Sequence, residues 1–160
     1  MKPLTKRKYG SLGEWWTDVR FLVVNRKPIR AATRGDRISA GFRERLMLAV
    51  TQVNGCRLCT FAHSREALKQ GVSRHEIDRI MGAEFGDCPE EEVPALLYAQ
   101  HWADTGGRLD HEARAKLVET YGEAAVQDID LILRAIRAGN YTGNTVEYLV
   151  NRLTLGLVGG

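Results

Sequence analysis

The sequence predicts an all-α protein, read as one domain over residues 1–160. Three observations carry that prediction. Apolar residues recur three and four apart between Gly, Asn and Pro stops. Ser11-Leu12-Gly13-Glu14 and Ser73-Arg74-His75-Glu76 have the pattern of capping boxes that open helices. No stretch alternates apolar and polar residues with the period of two that a half-buried strand needs. With 160 residues, 44% hydrophobic and 27% charged, the chain can bury a core without help from disulfides.

Taken in order, residues 1–10 read as irregular. Trp15, Trp16, Val19, Leu22 and Val23 mark an amphipathic helix expected to end near Asn25 to Pro28. The paired tryptophans are expected to pack in the core or at a subunit contact rather than bind a ligand. Ile29 to Gly35 adds a short helical turn. Phe42, Leu46, Ala49, Val50 and Val53 form a helix that stops at Asn54-Gly55, and a second helix follows up to Gly71, so the two make an antiparallel hairpin. A helix through Ile77, Ile80 and Met81 comes next, with His75 exposed in its first turn. Pro89 suits the first turn of the helix carrying Val93, Leu96, Leu97, Gln100 and His101. Asp110 is an N-cap for a helix ending at Tyr121-Gly122. Ala125 to Ile136 gives a buried helix up to Gly139-Asn140, and Val146, Leu149, Val150, Leu153 and Leu157 a last, separate one. So many apolar stripes exceed what one core can cover, which predicts contact with other subunits.

Charge and cysteine usage narrow the class. The net charge of +3 is uneven: the N-terminal arm and helix, about residues 1–37, hold ten Lys/Arg against three Asp/Glu, leaving the remainder acidic. Such an arm is expected to be solvated or to pack on a neighbouring subunit; nucleic acid is not expected, because the basic residues are not interleaved with a binding motif. No apolar run reaches the eighteen or so residues of a membrane span, and Lys2, Lys6, Arg7 and Lys8 precede no apolar signal core, so a cytoplasmic protein is expected. Three cysteines, two of them in one C-x-x-C, suit a reducing compartment rather than a secreted disulfide framework.

Reactive side chains recur at a usable spacing in one place. Cys56, Cys59 and His63 stand at i, i+3 and i+7 in the opening turns of the helix after Asn54-Gly55, which puts them on one stripe. The unpaired N–H groups of a helix N-terminus favour thiolate over thiol, and a His one turn on can take the proton. A dithiol held this way cycles between reduced and disulfide forms. Glu44, about ten residues before the turn, reaches a depth on its helix similar to that of His63 on the next, at about 1.5 Å per residue. A carboxylate there can orient the imidazole.

A metal site is the first alternative for these residues. Structural zinc takes four ligands, and a fourth would have to come from Cys88, His75 or His101 without helpful spacing, so no metal is expected. Cys88 stands outside any motif and is expected to be passive. Three function classes remain in play: a dithiol enzyme, a redox-responsive regulatory or binding protein built on the same pair, and an enzyme whose chemistry does not use the cysteines.

Glu44, an eleven-residue gap, then Cys56-x-x-Cys59-x-x-x-His63 resembles the core motif of the alkylhydroperoxidase D-like (AhpD-like) branch of the carboxymuconolactone decarboxylase family. The likeness covers about Ser39 to Met81 strongly and Tyr98 to Leu157 loosely. It implies an all-helical, homo-oligomeric (trimeric or hexameric) cysteine peroxidase in which Cys59 is oxidised to a sulfenic acid by a hydroperoxide, Cys56 resolves it, and His63 with Glu44 relays protons. It also implies no bound cofactor but an external dithiol reductant, such as a lipoyl group or a thioredoxin-like protein. The best characterised members carry a second His just before the second cysteine, where this sequence has Leu58. The family's decarboxylases are not built on a cysteine pair, so Cys56 and Cys59 favour the redox branch over a non-redox, decarboxylase-like enzyme.

Overall fold

The computed structural model describes residues 6–154 and is all-helical, with no strand among them. Its α-helices are α1 (Leu12–Val24), α2 (Arg26–Arg34), α3 (Ala40–Asn54), α4 (Arg57–Lys69), α5 (Arg74–Met81), α6 (Val93–Asp104), α7 (His111–Tyr121) and α8 (Glu123–Leu153). Lys2 and Leu157 lie outside the described residues.

The architecture is organised around α3, which packs against α4, α5, α6 and α8. Its sequence explains this: Leu46, Leu48, Ala49 and Val50 are all fully buried, so the helix is apolar on more than one face and must be surrounded. The remaining core comes from Ile80, Leu96, Val126, Ile129, Ile132 and Leu133 on the helices around it. Two buried carboxylates are matched to one partly buried cation within this packing. Arg45 of α3 pairs with Glu76 of α5 and with Glu92, which immediately precedes α6, tying three segments together. Glu76 is therefore not the reciprocal half of a capping box. Ser73 does accept the Glu76 N–H, but the Glu76 carboxylate is turned to Arg45.

Several elements differ from the sequence expectation, each for a physical reason. The expected break at Gly139-Asn140 does not occur: α8 runs for 31 residues, about 45 Å at the α-helical rise. Asn140 and Asn144 are buried in it and spend their amides on α3, donating to Thr51 Oγ1 and to the Asn54 carbonyl, so residues that read as helix stops serve packing instead. α2 is a full helix from Arg26, because Pro28 falls in its first turn, where no intrahelical acceptor awaits its missing N–H. Pro89 precedes a 3-10 turn, Glu90–Glu92, and it is Pro94 that occupies the start of α6. α1 buries Asp18 rather than its tryptophans: the Asp18 carboxylate accepts from Tyr9 Oη at 2.9 Å and Arg137 at 2.8 Å, while Trp16 is 61% exposed. The core half of the expectation for Trp15 and Trp16 is thus not met.

From residue 6 on, the start of the basic arm is tied to the chain's own helices, although Lys6 and Lys8 stay exposed to solvent. Lys6 pairs with Glu147, Lys8 sits 4.3 Å above the Tyr148 ring, and Tyr9 is buried against Tyr141. Arg7 donates to the carbonyls of Ala103 and Asp104, satisfying the end of α6, and its backbone N–H donates to the Asn54 carbonyl at 3.0 Å. These contacts strap the start of the N-terminal segment across α6 and α8. Among the described residues no helix is long and apolar enough to cross a membrane.

Candidate active site

The site begins at the α3–α4 turn. Gly55 adopts a left-handed conformation, φ 68°, that ends α3 and reverses the chain, which is why Asn54-Gly55 reads correctly as a stop. Cys56 then takes the extended conformation of an N-cap, and its Sγ, in the place usually held by a Ser or Asp oxygen, accepts the Cys59 N–H at 3.3 Å. The two sulfurs are in disulfide contact, with the Cα atoms 5.3 Å apart. Their surroundings differ: Cys56 is 1% exposed, whereas Cys59 is only partly covered. A helix N-terminus aimed at Cys56 Sγ stabilises negative charge there whenever the pair is reduced.

One turn beyond Cys59, His63 Nδ1 lies 2.8 Å from Glu44 Oε2. Glu44 is buried, and Arg43 Nε stands 3.5 Å from its other oxygen. The buried carboxylate thus lies between a guanidinium and an imidazole, both of which can donate to it. With Nδ1 engaged, Nε2 is the ring nitrogen left for proton exchange. The hairpin therefore brings Cys56, Cys59 and His63 of α4 and Glu44 of α3 into one neighbourhood. His75, His101 and Cys88 stand apart: His75 pairs with Asp87 and His101 with Asp110, both on the surface. Cys88 is buried beside Glu76. Among the described residues no three His, Cys, Asp or Glu side chains are grouped so as to hold a metal ion.

Sequence reasoning missed the floor of this site. Thr51, Asn54, Asn140 and Asn144 form a buried hydrogen-bonded cluster under the α3–α4 turn, with Asn54 Nδ2 donating to Asn140 Oδ1 at 3.1 Å. Gly143 of α8 lies against the sulfurs: a Cβ there would be 3.0 Å from Cys56 Sγ and 3.7 Å from Cys59 Sγ. The available signal was the run Gly139-Asn140 to Gly143-Asn144 inside an amphipathic helix, which reads as a break unless the partner is known. Leu58 and Phe61 flank Cys59 at the surface, 70% and 67% exposed, leaving an apolar rim around the thiol.

Residues 12–105 match the Carboxymuconolactone decarboxylase family. Among curated proteins the chain is similar to YdfG, an uncharacterized protein of Bacillus subtilis (strain 168), with 27% identity over 112 residues that make up 68% of this chain and 75% of that one. No solved structure matches the chain. The family match takes in α1 through α6, more than half of the chain, and with them Glu44, Cys56, Cys59 and His63, so the protein belongs to the carboxymuconolactone decarboxylase family.

Proposed function

We propose that this protein is a dithiol-dependent peroxidase. The observation that carries the reading is the asymmetry of the sulfur pair: two cysteines within bonding reach, one buried and capped by a helix N-terminus, the other accessible and one turn from an imidazole braced by a buried carboxylate.

The chemistry follows from that asymmetry. His63, held by Glu44 through Nδ1, takes the Cys59 proton at Nε2, directly or through water. The Cys59 thiolate attacks the distal oxygen of a hydroperoxide; the O–O bond breaks, the returned proton leaves with the alcohol or water, and Cys59 becomes a sulfenic acid. Cys56, favoured as thiolate by the Cys59 N–H, attacks that sulfur, expelling hydroxide that is protonated to water and closing the disulfide. Two electrons and two protons from an external dithiol reopen it. A lipoyl dithiol or a thioredoxin-like protein has the required chemistry, and no resident cofactor takes part in this cycle. Hydroperoxide consumption supplied with dihydrolipoamide, followed with intact-mass detection of sulfenate and disulfide, tests the reading. Many turnovers in wild type and none in Cys59→Ser are expected, and equal multi-turnover rates in the two would sink it.

A second reading draws on the exposed Leu58 and Phe61 beside the disulfide: a redox-responsive binding protein whose apolar rim changes partners when the pair opens. Such a protein oxidises once per molecule and then changes its associations, so turnover number separates the two. A family enzyme with non-redox chemistry would keep its activity in Cys59→Ser. The apolar face left open on α1 and the exposed Val146, Leu149 and Leu153 of α8 support assembly of several copies, a trimer or hexamer, which sedimentation analysis reads directly.

A further inference from the structure

We propose that Gly143 is a positioning residue for the Cys56–Cys59 couple: the missing side chain lets the α8 backbone close over Cys56 Sγ in the one place the disulfide requires it, and so sets how easily the disulfide is reduced.

Glycine in a helix interior costs about 1 kcal/mol relative to alanine, and α8 carries two such residues one turn apart. Their surroundings are opposite. A Cβ on Gly139 would meet nothing within 4 Å, whereas one on Gly143 would press on Cys56 Sγ at 3.0 Å, well inside ordinary contact. Neither residue has a positive φ, so backbone strain does not explain Gly143. Closeness to sulfur does.

The two redox forms would feel a methyl group at position 143 differently. In the disulfide, Cys56 Sγ is fixed by its bond to Cys59 and by narrow geometric limits, so it cannot yield without strain. In the dithiol Cys56 Sγ is released from that bond and can give by the few tenths of an ångström a methyl group would ask of it while still accepting the Cys59 N–H. A methyl there therefore raises the free energy of the disulfide more than that of the dithiol. The equilibrium in question is disulfide plus two glutathione thiols giving two cysteine thiols plus glutathione disulfide, with two electrons and two protons passing to the protein. The inference rests on reading the pair as a redox couple, not on a hydroperoxide being its oxidant.

The test compares wild type, Gly143→Ala and Gly139→Ala, equilibrated in glutathione buffers of graded composition and quenched for mass analysis. Gly143→Ala is expected to shift the equilibrium about tenfold or more toward the dithiol, about 30 mV for a two-electron couple, while Gly139→Ala stays with wild type. A shift below about threefold, or one toward the disulfide, overturns the proposal. No peroxide enters the measurement, so an absence of peroxidase turnover leaves its outcome unaffected. Thermal unfolding supplies an independent arm. Gly143→Ala should lower the melting temperature in the Cys56 background and raise it in a Cys56→Ala background, as Gly139→Ala does in both. Equal effects in the two backgrounds, or failure of the Cys56→Ala, Gly143→Ala protein to fold, would locate the obstruction elsewhere and overturn it.

Discussion

Cys59 and Cys88 carry the same functional group in opposite settings. Cys59 lies in the first turn of α4, partly exposed, bonded to a partner thiol that caps the helix, and followed one turn later by His63 on Glu44. Cys88 is buried on the far side of α3, in the company of Glu76 and Glu92. Burial first, and the Glu76 charge second, push its thiol up to about 12, against a partial counter-effect from Arg45. One neighbourhood supplies N–H donors, a base and a route for solvent; the other removes water and adds negative charge. On the proposed reading, what would make Cys59 reactive and leave Cys88 inert is the set of groups around each sulfur, since cysteine reactivity follows thiolate stability.

The largest test of that contrast is deletion of each thiol. Cys59→Ser should abolish dithiol-dependent turnover, Cys56→Ser should leave one slow oxidation without recycling, and Cys88→Ala should keep the wild-type rate; a peroxidase assay on the three variants checks this. Next in size is His63→Gln, expected to slow the reaction of Cys59 by about 10²–10⁴, the range of a lost general base, as read by stopped-flow oxidation. A ratio near one would remove His63 from the relay.

Stability effects come after these. Arg45→Ala leaves Glu76 and Glu92 buried without their cation and should cost about 3–5 kcal/mol in denaturant unfolding, because an uncompensated buried charge is more expensive than a missing pair. A smaller effect lies in pH. The Cys88 thiol ionises in the unfolded chain near its ordinary 9.0 but in the folded protein only near 12. Above about pH 9 the unfolded state therefore binds fewer protons than the folded one. The stabilisation from Cys88 is complete below that point and is lost as pH rises toward 12. Melting temperature should fall less steeply across this window in Cys88→Ala than in wild type, and parallel slopes would show that the thiol is better solvated than its burial indicates. Smallest is alkylation of the reduced protein at pH 8: mass analysis should find Cys59 labelled well before Cys88.

Much of the site could be read along the chain because its parts are local. Cys56, Cys59 and His63 share a stripe through helix periodicity alone, and Glu44 joins them because Asn54-Gly55 forces a hairpin of two helices with similar reach. No knowledge of the rest of the fold was needed for that pairing. The misreadings at the site involve contacts between distant segments. Gly139 and Asn140 looked like a stop because glycine and asparagine usually end helices, yet Asn140 reaches α3 and Gly143 reaches the sulfurs. The partners of Arg7 and Lys8, the end of α6 and Tyr148, could not be read along the chain because they are about a hundred or more residues away in sequence.

From its sequence alone this protein is all-helical and carries a dithiol, an imidazole and a carboxylate in register on one hairpin, since turn residues and the 3.6-residue period act within a few residues of each other. Only the tertiary structure decided which sulfur is covered, what covers it, and that α8 continues unbroken past the site. Those outcomes depend on how closely two helices far apart in sequence can approach, and that distance is set by side-chain volume at the contact, here the absence of any at Gly143.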